Sequence, residues 1–171
     1  MRPSGNVSLD AVRPLDAVCP HYVTYPSPIG LVEIGGTTKQ ILSLYFVDER
    51  RPDVEPHGEL QKALSQVGEY FNGVRREFDL NLGLHGTAFQ EQVWRQLLTV
   101  PYGSVATYQA IARAIGRPKA VRAVGAANGQ NPISILVPCH RIIGSNGKLT
   151  GYGGGLWRKE WLLRHEGYLM L

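Results

Sequence analysis

The sequence predicts an α+β chain, with a small antiparallel sheet and one helix in the amino-terminal half and a mainly helical carboxy-terminal half. Three observations predict it. Short β-patterned runs separated by Gly and Pro turns fill residues 21–47; apolar residues recur at helical spacing from Leu60; and from Thr87 onward helix starts and stops follow closely on one another. A chain of 171 residues can form one domain or two small ones sharing an interface. The change of pattern divides it into residues 21–82 and 83–171, preceded by a Pro-, Gly- and Asp-bearing tail over residues 1–20 that lacks periodicity.

The β-like runs are Tyr22 to Tyr25, Leu31 to Ile34 and Ile41 to Val47. Pro28-Ile29-Gly30 and Gly35-Gly36 between them read as turns. A helix follows, with Leu60, Leu64, Val67 and Phe71 on one face, and Gly73 ends it. Phe78 to Leu82 reads as a returning strand. This half carries no chemical motif and reads as a scaffold.

The second half opens on Thr87-Ala88-Phe89-Gln90, a capping box in which the Thr hydroxyl and the Gln side chain satisfy orphan amides. Phe89, Val93, Leu97, Trp94 and Leu98 line adjacent rows of the helix it starts, and Pro101 and Gly103 close the segment. A second helix over Thr107 to Ile115 ends at Gly116. Arg117-Pro118-Lys119 then leads into a third over Ala120 to Gly129. Two short helices joined by a tight turn fit a helix-turn-helix, and fit a helical hairpin in a core equally well. The third helix is nearly all Ala, Gly and Val, with Lys119 and Arg122 as its charges. Major-groove readers present long polar side chains, whereas small residues suit close approach to a narrow minor groove. Composition alone favours the plainer alternative, a helix buried against a neighbour.

Composition sets the class. Hydrophobic residues make up 43% and charged ones 19%, which describes a soluble globular chain. The 18 Lys and Arg against 14 Asp and Glu, a net +4, permit an anionic partner without identifying one. Cys19 and Cys139 make neither a disulfide framework nor a C-x-x-C pair, and no leader pattern precedes them. No apolar run approaches the roughly 20 residues that span a bilayer. The expectation is a reducing, cytoplasmic setting without membrane attachment, where a thiol stays reactive.

The chemistry concentrates after Asn131-Pro132. An apolar run from Ile133 to Val137 leads into Pro138-Cys139-His140-Arg141. A cysteine in apolar surroundings is usually inert packing. Here Pro138 fixes the backbone before the thiol, Arg141 adds positive charge that favours thiolate, and turn signals on both sides give the side chain access to a cleft. On an extended chain Cys139 and His140 point opposite ways, so proton transfer between them needs a bridging water, and a third group must orient the ring. Further on come the turn Ser145-Asn146-Gly147-Lys148, the glycine-rich Gly151-Tyr152-Gly153-Gly154-Gly155, a helix from Leu156 to Arg164, and His165-Glu166-Gly167.

The run from Asn131-Pro132 through Pro138-Cys139-His140-Arg141 lies between the Arg122 helix and the later Tyr152-Gly153-Gly154 and Glu166-Gly167. This ordered set resembles the O6-alkylguanine-DNA alkyltransferases, also called methylated-DNA–protein-cysteine methyltransferases. Arg158 to Tyr168 resembles their bacterial constitutive, single-chain type. The resemblance is strong from Thr87 to Tyr168, and weaker but consistent over residues 21–82. It implies a ribonuclease H-like amino-terminal domain, and a carboxy-terminal domain holding the helix-turn-helix and the active-site cysteine.

The implied activity is direct-reversal repair of duplex DNA. The alkyl group of O6-alkylguanine, and of O4-alkylthymine, passes to the protein's own cysteine after base flipping, in one irreversible turnover. By position, Cys139 resembles the acceptor, His140 the base acting through water, Glu166 the carboxylate orienting it, and Asn131 the brace of the active-site turn. Tyr108 resembles the tyrosine that crowds the target phosphate and bonds the guanine edge. Tyr152 resembles the cover of the pocket, and the Gly153 amide the partner of the guanine oxygen. The carbonyls of Cys139 and Ile142 resemble the acceptors for the guanine amino group. Arg122 resembles the finger filling the gap in the duplex, with Val121, Ala123, Gly125 and Gln109 on the minor-groove surface.

The resemblance implies no cofactor, a monomer in solution, and binding along DNA that is either independent or cooperative. Some relatives hold a structural zinc in the amino-terminal half. Cys19, His21, His57 and His85 make a poor signature for it, and no metal is expected. A related class of non-enzymatic binders replaces the acceptor cysteine, which Cys139 argues against. Two rival readings remain at this stage: a damage sensor or regulator with a structural Cys139, and a Cys-His hydrolase that turns over.

Overall fold

A computed structural model describes residues 21–52 and 54–169; the tail expected over residues 1–20, with Cys19, lies outside them. Cα packing divides the chain into two compact units, one ending at Gly83 and the other beginning at Leu84.

In the first unit, β1 (His21–Ser27), β2 (Gly30–Gly36) and β3 (Ile41–Val47) form an antiparallel sheet in the order β1-β2-β3. The register runs from His21 opposite Gly36 to Ser27 opposite Gly30, so Pro28-Ile29 forms the hairpin tip as expected. Ser27 closes that tip, its Oγ donating to Gly30 O at 2.7 Å and accepting from Ile29 N–H at 3.2 Å. Gly35 and Gly36 are not the second turn. They belong to β2, at a bulge opposite Ser43 and Ile41, and the chain reverses at Thr37–Gln40 through a 2.9 Å Thr37 N–H to Gln40 O bond. A Cβ on Gly35 would stand 2.4 Å from Ser43 Oγ, so this glycine permits close approach rather than a bend.

Helix α1 (Glu59–Phe71) buries Leu60, Ala63, Val67, Tyr70 and Phe71, while the expected Leu64 is only half-buried. The helix terminates into Gly73, whose φ of 78° lies in the left-handed region that glycine adopts freely. Phe78 to Leu82 is not a full strand. It makes one bridge, Ile41 to Leu82, and is held instead by side chains. Gln66 on α1 clasps Asp79 with two bonds, Nε2 to Asp79 O at 3.1 Å and Asp79 N–H to Oε1 at 2.9 Å. Partners of that kind leave no periodicity in the segment they hold.

The second unit contains α2 (Ala88–Leu97), α3 (Tyr108–Ala114), α4 (Val121–Gly129) and α5 (Leu156–His165). The capping box forms as read: Gln90 N–H donates to Thr87 Oγ1 at 3.1 Å, and Thr87 N–H to Gln90 Oε1 at 2.9 Å. Helix α2 buries Val93, Trp94 and Leu97, whereas Leu98 is exposed and Phe89 half-buried. The Trp94 indole reaches into α4 and donates to Ala127 O at 2.8 Å. A buried tryptophan with its N–H satisfied makes this a fixed junction.

Two short strands complete the unit. β4 (Ala106–Thr107) and β5 (Ile142–Ile143) pair in parallel, Ala106 opposite Ile142 and Thr107 opposite Ile143. This pair sets the start of α3 beside the segment that follows Cys139. Two-residue strands carry no sequence pattern, and the sequence reading missed them. Among the described residues no helix is long and apolar enough to cross a membrane.

Candidate active site

Pro138 leads into one turn of 3-10 helix, Cys139–Arg141, which ends at β5. The extended chain expected through Cys139-His140 is therefore replaced by a turn. Three residues per turn set successive side chains about 120° apart rather than opposite. All three turn residues are buried, Cys139 with only 4% of its surface exposed, so a reactant must come into the protein to meet the thiol.

Asn131 braces what precedes the turn. Its Nδ2 donates to Val137 O at 2.8 Å and Ile133 O at 3.4 Å, and its Oδ1 accepts from Ile133 N–H at 3.0 Å. Inside that clamp Ile135 has φ 71°, a left-handed conformation that a β-branched residue adopts only under constraint. Such positions cost about 1–3 kcal/mol. The apolar run thus holds a strained bend, which apolarity alone did not reveal.

His140 is fully buried, and Nε2 lies 2.7 Å from Glu166 Oε1. Glu166 stands at the end of α5, just before Gly167, and also binds the Arg141 guanidinium through Nε to Oε2 at 2.8 Å and Nη2 to Oε1 at 2.9 Å. Burial alone would raise the Glu166 carboxyl, but the bonds and charges of His140 and then Arg141 hold it well below the usual carboxylate range. An ionised carboxylate only accepts, so the His140 proton sits on Nε2 and the Nδ1 lone pair is left for chemistry. His140 Nδ1 is buried without a hydrogen-bond partner among the described residues. Burial pushes His140 below the ordinary imidazole value, against the pull of Glu166, which favours a neutral ring.

The cation whose charge favours the thiolate is not the one the sequence suggested. Arg141 is taken up by Glu166 and by Val100 O, at 2.7 Å from Nη1. Lys159 of α5 is the charge that acts on Cys139. It is completely buried, donates to Ile142 O and, at 2.8 Å, to Thr150 O, and is pushed down to about 8 by burial. Burial raises the Cys139 thiol above its ordinary value; the Asn131 side chain and Lys159 pull the other way. Sequence reasoning passed over Lys159, although it lies three and four residues before the buried Leu162 and Leu163 and so falls on the apolar face of α5. It also passed over Asn128, whose Nδ2 donates to Cys139 O at 3.4 Å.

The substrate-facing expectations fall around this centre. Tyr108 opens α3, its hydroxyl donating to Thr150 O at 3.1 Å. Tyr152 is half-buried, while Gly153 is exposed, with nothing within 4 Å of a Cβ placed on it. Ile142 is buried. On α4, Val124, Ala127 and Asn128 are buried, Arg122, Ala123 and Ala126 are exposed, and Val121 and Gly125 are half-buried. The helix is therefore buried along one face only. Gln109 turns back to Pro118 O at 3.1 Å and spans the turn between α3 and α4. No cluster of three or more His, Cys, Asp or Glu able to hold a metal occurs among the described residues.

Comparison with known proteins places this site in context. Residues 21–84 match the ribonuclease-like domain, and residues 88–168 the DNA binding domain, of 6-O-methylguanine DNA methyltransferase. A methylated-DNA–protein-cysteine methyltransferase of Mycolicibacterium paratuberculosis is 50% identical over 150 residues, covering 85% of this chain and 91% of its own. One from Methanosarcina acetivorans is 46% identical over 153 residues, covering 86% and 98%. The crystal structure of the Mycobacterium tuberculosis protein in complex with DNA superposes with a TM-score of 0.79 at 49% identity, covering 85% of this chain and 92% of that one.

Proposed function

The chain belongs to the 6-O-methylguanine DNA methyltransferase family, and from that premise we propose that it repairs duplex DNA by taking the alkyl group of O6-alkylguanine, or of O4-alkylthymine, onto Cys139 Sγ. The observation that carries the reading is the buried series Cys139, His140, Glu166. The thiol lies beside an imidazole whose Nε2 is bound at 2.7 Å by a carboxylate and whose Nδ1 has no protein partner among the described residues. This is a nucleophile, a base and an orienting group in sequence.

His140 Nδ1 takes the thiol proton through a bridging water. The Sγ–C bond forms as the C–O6 bond breaks, and guanine leaves with the electron pair, assisted by hydrogen bonds to its edge. Lys159 offsets the thiolate charge. The product is a thioether, which water does not readily cleave. Among the described residues Cys139 has no second cysteine beside it to regenerate it, so each molecule acts once.

Recognition falls to the exposed and half-buried features around the centre. Tyr108 crowds the target phosphate and bonds the guanine edge, and Tyr152 covers the flipped base while the Gly153 amide meets its oxygen. Arg122 fills the space the base leaves, and Val121, Ala123 and Gly125, with Gln109 nearby, let α4 approach the minor groove. The Cys139 and Ile142 carbonyls accept from the guanine amino group. The protein works as a monomer in the reducing cytoplasm, with the boundary between its two domains near residue 83.

Intact mass spectrometry after incubation with duplex containing O6-methylguanine tests this. One added methyl per chain, mapped to the Cys139 peptide and absent in Cys139→Ser, is the expected result. Binding without any gain in mass would favour a damage sensor.

A further inference from the structure

The carbonyl of Cys139 accepts two hydrogen bonds, one from Ile142 N–H and one from the side chain of Asn128 at 3.4 Å. Asn128 lies near the end of α4 and is 3% exposed. Its nitrogen must be the atom that faces Cys139, because a carbonyl only accepts. Its Oδ1 is buried with no hydrogen-bond partner among the described residues. An apolar side chain of similar volume would fill the same space without leaving a buried acceptor unsatisfied. As packing, then, the amide is a poor choice, and what it contributes is its hold on the carbonyl.

The hold is firm at the helix end and loose at the carbonyl. The preceding residue, Ala127, is pinned by the Trp94 indole at 2.8 Å, so the Asn128 side chain hangs from a fixed point. With the Ile142 N–H on one lone pair, the long 3.4 Å contact occupies the other only weakly, so an incoming donor shares that side of the Cys139 oxygen with the amide that aims it. The other carbonyl proposed to accept from guanine, Ile142 O, also takes a buried donor, the Lys159 ammonium of α5. Both carbonyls proposed to accept from the guanine amino group therefore take a buried donor from a helix, and Asn128 belongs to the helix that carries Arg122.

We propose that Asn128 is a specificity-determining positioning residue, whose amide holds the Cys139 carbonyl where it accepts from the exocyclic amino group of guanine. The assignment rests on the alkyl-transfer reading above. It couples the choice of base at the acceptor to α4, and it acts only on bases that carry the amino group.

Single-turnover transfer from duplexes containing O6-methylguanine or O6-methylhypoxanthine, which lacks that group, tests it. The wild type should favour methylguanine. Asn128→Leu should lower the methylguanine rate about tenfold, the scale of one neutral hydrogen bond. The methylhypoxanthine rate should stay within about twofold, so that the preference collapses. Asn128→Met, a flexible apolar replacement that cores tolerate, should behave alike, with circular dichroism verifying the fold of both. Equal losses on the two substrates would reduce Asn128 to a packing role and overturn the assignment alone. A preference that widens would mean the amide competes with guanine, and would also overturn it. A wild type that takes no methyl from either duplex overturns the alkyl-transfer reading, and this assignment with it.

Discussion

The acceptor turn and the surface of α4 that leads to it solve opposite problems. From Asn131 to Ile142 nearly every side chain is buried, and the turn is held by Asn131, Asn128, Glu166 and Lys159. The outer face of α4 presents Arg122, Ala123 and Ala126, exposed and small apart from one arginine. A thiolate that must displace a poor leaving group gains from preorganised donors in a dry site. A surface that approaches a duplex closely gains from having little on it. One helix serves both ends, since its buried face ends in the Asn128 amide.

Breaking the buried side should cost most. Glu166→Gln leaves the Arg141 guanidinium and the His140 ring without their anion. A loss of about 3–5 kcal/mol in unfolding free energy is expected, as for other buried pairs broken on one side. The transfer rate should fall about 100-fold in single-turnover assays, because the imidazole loses the partner that fixes its proton. A variant of wild-type stability and rate would mean the pair is dispensable.

Breaking the exposed side should cost less, and only where duplex is involved. Arg122→Ala should slow repair in duplex about tenfold and leave reaction with a free modified base nearly unchanged, since the role proposed for it is to stabilise the extruded state. Similar losses on both substrates would remove the finger role.

The buried side should also answer to acid. Glu166 and His140 are both held below their ordinary values, so each binds fewer protons folded than unfolded as pH falls. Their stabilising contribution is present above the unfolded values, near 6.5 for His and 4.3 for Glu, and is lost as pH drops below them. Denaturant titrations should show stability declining from about pH 6.5 downward, with the lower part of that decline blunted in Glu166→Gln. An unchanged slope would contradict it. The smallest effect belongs far from the site. Thr87→Ala should cost about 1 kcal/mol through loss of the α2 cap, with no change in transfer rate.

The same contrast explains what could be read in advance. Helices with caps and apolar stripes were legible, as were the hairpin at Pro28-Ile29 and the order of Cys139, His140 and Glu166, because each rests on residues near in sequence or on a resemblance in fixed order. Elements held by distant side chains were not. Phe78 to Leu82 looked like a strand, but Gln66 does the holding. Arg141 looked like the thiol's cation until Glu166, 25 residues later, claimed it. Lys159 lay in plain view on an apolar face, while the 3-10 turn at Cys139 and the bend at Ile135 left no periodic trace.

The central claim is that Cys139 is a consumed reagent, and stoichiometry tests it most directly. With O6-methylguanine duplex in large excess, demethylated product should rise to one equivalent per chain and stop, with every chain methylated at Cys139. Product that keeps accumulating past one equivalent, or that forms while Cys139 remains a thiol, would contradict it.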